Sequence, residues 1–276
     1  MTQPTIPLND GAQIPQLGFG TWQTPEETAA AAVSAALAAG YRLIDTASFY
    51  GNETGIGKGI LVSGVPREEI FVTTKLWNSQ QGYDETLRAY DESLQRLRLD
   101  YVDLYLIHWP MPHRSRYLDS WRALVTLKNK GRVRSIGVSN FQVPHLQHLL
   151  DETGVVPSVN QIELHPYFQQ RPLRAFHAQH EIVTESWSPL GQGGALLRDE
   201  RVLRIARKHR KTAAQAVLRW HLDSGVVTIP KSVNPERIRE NFNVLDFRLD
   251  SEDIVLLDGL DNPKGRIGPD PDTADF

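Results

Sequence analysis

The strongest constraint in this chain is a rhythm. Short apolar runs rich in β-branched residues alternate with stretches of helical periodicity, and the alternation recurs eight times. The runs are Leu17–Gly20, Tyr41–Asp45, Ile70–Lys75, Val102–His108, Val133–Val138, Ser158–Ile162, Ile182–Ser186 and Val226–Pro230. Strands separated by helices run parallel, joined by crossovers. Eight such units favour a closed (β/α)8 barrel over an open sheet, and 276 residues without a Pro-, Gly- or Ser-rich linker suit one barrel domain over 1–276.

Local signals refine the plan. Thr5–Leu8 and Gln13–Leu17 flank Asn9-Asp10-Gly11, a hairpin signature placed before the first barrel strand. Thr24-Pro25-Glu26-Glu27 reads as an N-cap, a proline at N1 and an acid at N3, opening an Ala-rich helix that stops at Gly40. A helix over 84–98 is capped by Asp84 and carries one apolar stripe of Leu87, Tyr90, Leu94 and Leu97. Further helices are expected at 54–62, 118–130, 144–152, 170–180, 199–209, 212–224, 234–242 and 251–259. Two of these fall between the last two strands, so the eightfold plan carries extra helices.

Bulk properties remove whole classes of function. The net charge of −3 is spread over interspersed acids and bases, with no basic stripe for nucleic acid. The absence of cysteine excludes disulfides, thiolate metal sites and a thiol nucleophile. No apolar run reaches membrane-spanning length, and the N-terminus lacks a basic start followed by an apolar stretch. A cytoplasmic protein is expected.

In a barrel, the residues that end the strands share one face with the loops that follow them. That face would carry Thr21 and Trp22 after the first strand, Asp45 and then Tyr50 at the second, and Lys75 and Trp77 at the third. His108 and Trp109 follow the fourth, Ser139 and Asn140 the fifth, and Gln161 and Glu163 lie at the sixth. Trp187 and Ser188 follow the seventh, Lys231 and Ser232 the eighth. Trp22, Trp77, Trp109 and Trp187 would wall a substrate pocket, whereas Trp121 and Trp220 sit at helical spacing and read as core.

Asp45, Tyr50, Lys75 and His108 have a joint chemical logic. A carbonyl that accepts hydride builds negative charge on its oxygen and needs a proton. A tyrosine can supply it, but an ordinary phenol titrates near about 10. A neighbouring ammonium lowers that value; Lys75 would do this, held charged by Asp45, while His108 hydrogen-bonds the substrate oxygen. Taken singly, Asp45 is as readily a helix cap, Tyr50 a packed loop aromatic, Lys75 a strand-end charge and His108 a satisfied interior histidine. Their joint placement favours catalysis, because a buried lysine needs its aspartate.

The segments LIDTASFYGNE (43–53), TTKLW (73–77), DLYLIHWP (103–110), GVSNF (137–141), VNQIELHP (159–166), SWSPLGQG (186–193) and IPKSVNPERIRENF (229–242) occur in order over nearly the whole chain. Together they resemble the aldo-keto reductase family, above all its short bacterial members such as the 2,5-diketo-D-gluconate reductases. The resemblance implies Asp45, Tyr50, Lys75 and His108 as catalytic tetrad, with Tyr50 the proton donor to small-molecule aldehydes and ketones. It implies an extended NADPH, with NADH a weaker alternative. Thr21 and Trp22 would border that cofactor, and Ser139, Asn140 and Gln161 would hold its carboxamide. Trp187 would stack on the nicotinamide, and Ser188, Leu190, Gln192 and Gly193 would line the pyrophosphate. Lys231, Ser232, Arg237 and Asn241 would reach the 2′-phosphate and adenine. It also implies a monomer. The chain departs from the pattern at Trp187, where many members carry tyrosine, and at Asn234, where close relatives often carry a base. The last segment reads as a phosphate site on its own terms too: Asn234-Pro235-Glu236 opens a helix, with Lys231 and Arg237 adding charge at its start.

Two other functions compete. Glu163 and Glu185, on adjacent strands, suit a glycoside hydrolase with paired carboxylates, though this leaves Tyr50, Lys75 and the 231–241 segment without a role. A non-catalytic NADPH-binding sensor would need no complete tetrad. His145 and His148 read as surface residues lacking a third metal ligand. His113, Arg114 and Arg116 read as a solvated loop, and the short tail GPDPDTADF leaves the pocket open on its side.

Overall fold

A computed structural model describes residues 3–276. In chain order its elements are β1 (Thr5–Pro7), β2 (Gln13–Pro15), β3 (Phe19–Gly20), α1 (Glu26–Ala39), β4 (Leu43–Asp45), α2 (Glu53–Val62), β5 (Phe71–Leu76), α3 (Tyr83–Leu97), β6 (Val102–Ile107), α4 (Tyr117–Asn129), β7 (Val133–Ser139), α5 (Val143–Thr153), β8 (Val159–Glu163), α6 (Arg171–Gln179), β9 (Val183–Trp187), α7 (Glu200–His209), α8 (Ala213–Asp223), β10 (Val227–Thr228), α9 (Pro235–Phe242) and α10 (Ser251–Asp258). The strands β3 to β10 form one parallel sheet in sequence order. A parallel bridge between Leu17 and Thr228 joins its two edges, reinforced by Gly18 N–H on Thr228 O (2.8 Å) and Gly20 N–H on Pro230 O (3.1 Å). The expected (β/α)8 barrel with an N-terminal hairpin and extra helices is the observed fold.

Side chains alternate along each strand, so every second residue faces the barrel interior. The lower interior is apolar: Leu43, Phe71, Leu104, Leu106, Val159 and Val227, stoppered by Leu8 and Ile14 of the β1–β2 hairpin. Continuing the same alternation upward brings Asp45, Lys75, Gln161 and Glu185 onto the inner face. A larger apolar layer lies outside, between strands and helices, and includes Trp121 and Trp220, both fully buried as expected. The stripe on α3 also holds, with Tyr90, Leu94 and Leu97 buried and Leu87 packed against them.

Three local expectations change. Thr24 does not cap α1; Pro25 holds the extended N-cap backbone, and Thr24 Oγ1 is buried without a partner. Asp84 lies inside the first turn of α3, because Gly82, at φ 128°, takes the cap position that few other residues adopt. His145 is buried and structural, the Gln142 N–H donating to its Nδ1 (3.1 Å) and closing a capping box on α5, whereas His148 is exposed as expected, its Nδ1 2.6 Å from the Tyr117 hydroxyl. Gly40 ends α1 as expected at φ 112°, where a Cβ would also meet the Phe242 ring at 2.6 Å. Among the described residues, no helix is long and apolar enough to cross a membrane.

Candidate active site

The site begins with strand ends. Asp45 ends β4 and pairs with Gly20; its carbonyl accepts from the Thr21 N–H (3.1 Å) and hydroxyl (2.9 Å). Thr21 is therefore spent on joining two strands and is fully buried. A 3-10 turn, Ser48–Tyr50, follows β4 and carries the phenol. Asn52 fastens this loop, donating to the carbonyls of Thr21 and Thr24 (both 3.0 Å) and accepting from the Thr46 hydroxyl. The Ser48 hydroxyl donates to Lys75 O, tying the turn to β5.

Lys75 is wholly buried, and its ammonium has three hydrogens to place. They go to Asp45 Oδ1 at 2.6 Å, Thr46 O at 2.9 Å and the Tyr50 hydroxyl at 3.4 Å. Burial disfavours the charge, but Asp45 and Tyr50 more than restore it, and the amine is held above its ordinary value. Burial pushes the Asp45 carboxyl up against the pull of Lys75 and of the Gln161 amide. The pair is a charged bridge in a dry interior.

The phenol departs from expectation. Burial raises Tyr50, and the Asp45 carboxylate adds to that; Lys75 opposes them without reversing the direction. In this structure Tyr50 is thus a phenol that keeps its proton, next to the cation that would stabilise the phenolate once the proton leaves. His108 is pushed well below its usual range, first by burial and then by Lys75. It is a neutral imidazole. Its Nδ1 is buried without a partner. His108 can donate a hydrogen bond but has no spare proton to give away.

An aromatic wall surrounds this layer. Trp22 stacks on Phe49 (5.7 Å between centroids), Phe49 on Trp77 (3.7 Å) and Trp77 on Phe276 (5.8 Å), while Trp109 meets Phe276 edge-on at 5.2 Å. Trp22, Trp77 and Trp109 all belong to this cluster. Phe49 and Phe276 were not foreseen. The tail is not an open side: its Ala274 packs with Trp109 and Met111, and Phe276 lies against Trp77. Asp275 pairs with His113 (3.3 Å) and Arg114 (3.6 Å), so that loop is engaged as well. The anchor is Glu163, whose two oxygens accept from the Ile267 (2.6 Å) and Gly268 (2.7 Å) amides while His165 Nε2 lies 3.1 Å away. Glu163 is thus consumed by the tail and is not free to pair with Glu185 for hydrolysis.

Ser139, Asn140, Gln161 and Trp187 come together, largely bonded to one another. Ser139 Oγ donates to Gln161 O (2.9 Å), Asn140 Nδ2 donates to His108 O and Ser139 Oγ (both 3.0 Å), and Trp187 Nε1 donates to Asn140 Oδ1 (2.8 Å). The indole at 187 thus gains a fixing bond, with Gly268 close enough that a Cβ there would meet its ring at 2.6 Å. Ser188, at φ 49°, leads into the loop of Leu190, Gln192 and Gly193, whose last two residues are exposed.

At the eighth strand, Lys231 Nζ donates to Gln23 O (3.0 Å) across the barrel seam, and Ser232 Oγ accepts from the Asn234 N–H (3.1 Å). Asn234 Oδ1 caps α9 on the amides of Glu236 (2.8 Å) and Arg237 (3.2 Å). Those amides are therefore occupied, so any grip on a phosphate falls to the side chains of Lys231, Ser232 and Arg237. Arg237 is exposed and Asn241 buried. A cleft of about 720 Å³ beside Leu8, Arg174 and Thr184 lies at the opposite end of the barrel from this chemistry.

The family model described as "Aldo/keto reductase family" matches residues 16–262. The chain belongs to the aldo/keto reductase family. This aldo/keto reductase is 58% identical to an aldo-keto reductase of Mycolicibacterium smegmatis, over 99% of this chain and 98% of the relative. It is 54% identical to the methylglyoxal reductase DkgA of Escherichia coli K12, over 99% and 98%. The apo crystal structure of Gox0644 superposes with a TM-score of 0.97 at 55% identity, covering 100% of both chains. A mutant of Gox0644 crystallised in complex with NADPH gives 0.96 at 54%, again over 100% of both. The chain is accordingly an oxidoreductase, and the hydrolase alternative is set aside.

Proposed function

We propose that this reductase converts small aldehydes and ketones to alcohols, reversibly, with NADPH as hydride source and Tyr50 as proton donor. The observation that carries the reading is the buried Asp45–Lys75 bridge whose ammonium reaches the Tyr50 hydroxyl at 3.4 Å. A cation so placed changes little in the resting phenol and much in the phenolate, which is the difference that lowers a barrier. His108, held neutral by burial, would donate a ring N–H to the carbonyl oxygen and polarise it, leaving proton donation to Tyr50. The aromatic wall suits small carbonyl compounds, the class that includes the substrate in the E. coli relative's name.

The residues fit the cofactor. Trp187 presents an indole held by Asn140, and Gln161 lies below it on the inner face. Lys231 and Arg237, outside every ion pair found among the described residues, would supply charge for a 2′-phosphate, with Ser232 and Asn241 as further residues that would hold the adenosine end. Bound there, the dinucleotide would supply the hydride; the protein's work is to place the carbonyl and deliver the proton. We further propose that the whole chain acts as one barrel domain.

The test is a panel of small carbonyls followed by NAD(P)H absorbance. NADPH should be oxidised faster than NADH. Tyr50→Phe should lose about 10²- to 10⁴-fold in turnover while tryptophan fluorescence still reports NADPH binding near wild-type affinity. A wild type that binds NADPH yet oxidises it with no carbonyl on the panel would turn the reading into a sensor.

A further inference from the structure

Behind the tetrad lies a second acid that the mechanism above leaves unused. Glu185, on β9, is fully buried. Its Oε2 accepts from Gln161 Nε2 at 2.9 Å, while the same nitrogen donates to Asp45 Oδ2 at 2.8 Å. A primary amide has two N–H groups, and these two carboxyl oxygens take both. Glu185 Oε1 has no partner.

We infer that Glu185 is a positioning residue for the reaction: as the second carboxyl acceptor it fixes which end of the Gln161 amide faces the pocket, and by retaining its own proton it limits the charge beneath Tyr50 to one carboxylate. The inference rests on the function proposed above. Its first half follows from counting donors. With Nε2 committed to Asp45 and Glu185, the carbonyl end of Gln161 is the end left for a donor in the pocket. Were Glu185 apolar, one N–H would lose its acceptor and the amide would be held in place by Asp45 alone.

The second half follows from what surrounds the acid. The charged and titratable groups facing it are Asp45 from β4, Lys75 from β5 and Tyr50 from the turn after β4. The ammonium of Lys75 is already spent on Asp45, Thr46 and Tyr50. One cation thus serves two carboxyls in a dry interior, and the one that lacks a direct bond to it is the cheaper to neutralise. Burial, then Asp45, push Glu185 up to about 8. When it does ionise, the new negative charge raises both Tyr50 and Lys75. A phenol with a raised value is a weaker acid, so carbonyl reduction slows as pH rises through that point.

The test compares the turnover number for reduction against pH, at saturating NADPH, in wild type, Glu185→Gln and Glu185→Ala. The wild type should fall about three- to tenfold across the ionisation, the part of the added Coulomb interaction that proton transfer feels. Glu185→Gln keeps an acceptor for Gln161 but has no proton to lose, so its profile should run level where the wild type falls. Glu185→Ala should weaken NADPH binding about tenfold, the worth of one buried hydrogen bond. An alkaline step that persists unchanged in Glu185→Gln, or Glu185→Ala binding NADPH as the wild type does, overturns the inference. Should the variants not fold, infrared difference spectra of the wild type decide: a protonated-carboxyl band must be present at neutral pH and vanish on the alkaline side, and its absence overturns the assignment. A wild type that reduces no carbonyl would instead sink the proposed function, which these spectra and the binding titration do not depend on.

Discussion

Replacing Lys75 by methionine separates stability from catalysis. The side chain stays unbranched and loses only its terminal atom, but the Asp45 carboxylate loses its counter-charge at 2.6 Å inside the barrel. The carboxylate can escape only by taking a proton. Forcing a group with an ordinary value near 4 to be protonated at pH 7 costs about 1.36 kcal/mol per unit, or about 4 kcal/mol in all. This agrees with the roughly 3–5 kcal/mol seen when one partner of a buried pair is removed. At about 2–4 °C per kcal/mol for a domain somewhat smaller than this one, the melting temperature should drop by about 8–16 °C. The sign of the pH dependence follows. In the variant, Asp45 has a folded value above its unfolded one, so its contribution is intact below the unfolded value and lost as pH rises. The deficit should therefore shrink to about 1–2 kcal/mol near pH 5. Adding Asp45→Asn should restore most of the lost stability, because no orphaned charge remains, yet leave the enzyme inactive, because Tyr50 still lacks its cation. Calorimetry and urea titrations on the single and double variants at two pH values provide the assay. Equal melting of Lys75→Met and wild type, or additive losses in the double variant, would refute the reasoning.

Three further outcomes are expected. Lys231→Gly should narrow the NADPH-to-NADH ratio of kcat/KM by about ten- to a hundredfold, the range for one charge-assisted hydrogen bond; an unchanged ratio removes Lys231 from the phosphate site. Phe276→Ala should alter KM for carbonyl substrates by about two- to tenfold, the worth of an aromatic pair, with NADPH affinity unmoved in a fluorescence titration. Because His108 is neutral well below its usual range, kcat/KM for reduction should show no inflection near an ordinary histidine value; a step there that disappears in His108→Asn would contradict the assigned protonation.

What could be read from sequence has a physical boundary. The strands were legible because a parallel barrel covers both of their faces, so Val102–Ile107 and Phe71–Leu76 are continuous runs of buried residues. The Asp45–Lys75 pair was legible because a lysine ending such a run has no cheap way to be buried without an acid nearby. The caps were harder. Thr24 and Asp84 are the right residue types, but the backbone bends at Pro25 and Gly82 instead. His145 caps through a bond back to Gln142, which looks like nothing in a sequence. Phe49 gave no signal beyond its proximity to Tyr50, since stacking on Trp77 depends on two loops meeting. Glu163 was noticed as an acid but misjudged, because its partners are backbone amides 104 and 105 residues away. Contacts between distant loops leave no local periodicity for a reader to find.

The hairpin at the foot of the barrel has a kinetic corollary. With Leu8 and Ile14 plugging that end, the cylinder has a single doorway. Under the proposed function, coenzyme and carbonyl would have to pass through it in sequence, the one bound nearer Gln161 and Trp187 arriving first and departing last. A plug made of a few aliphatic side chains would thus impose a queue on two molecules it never touches.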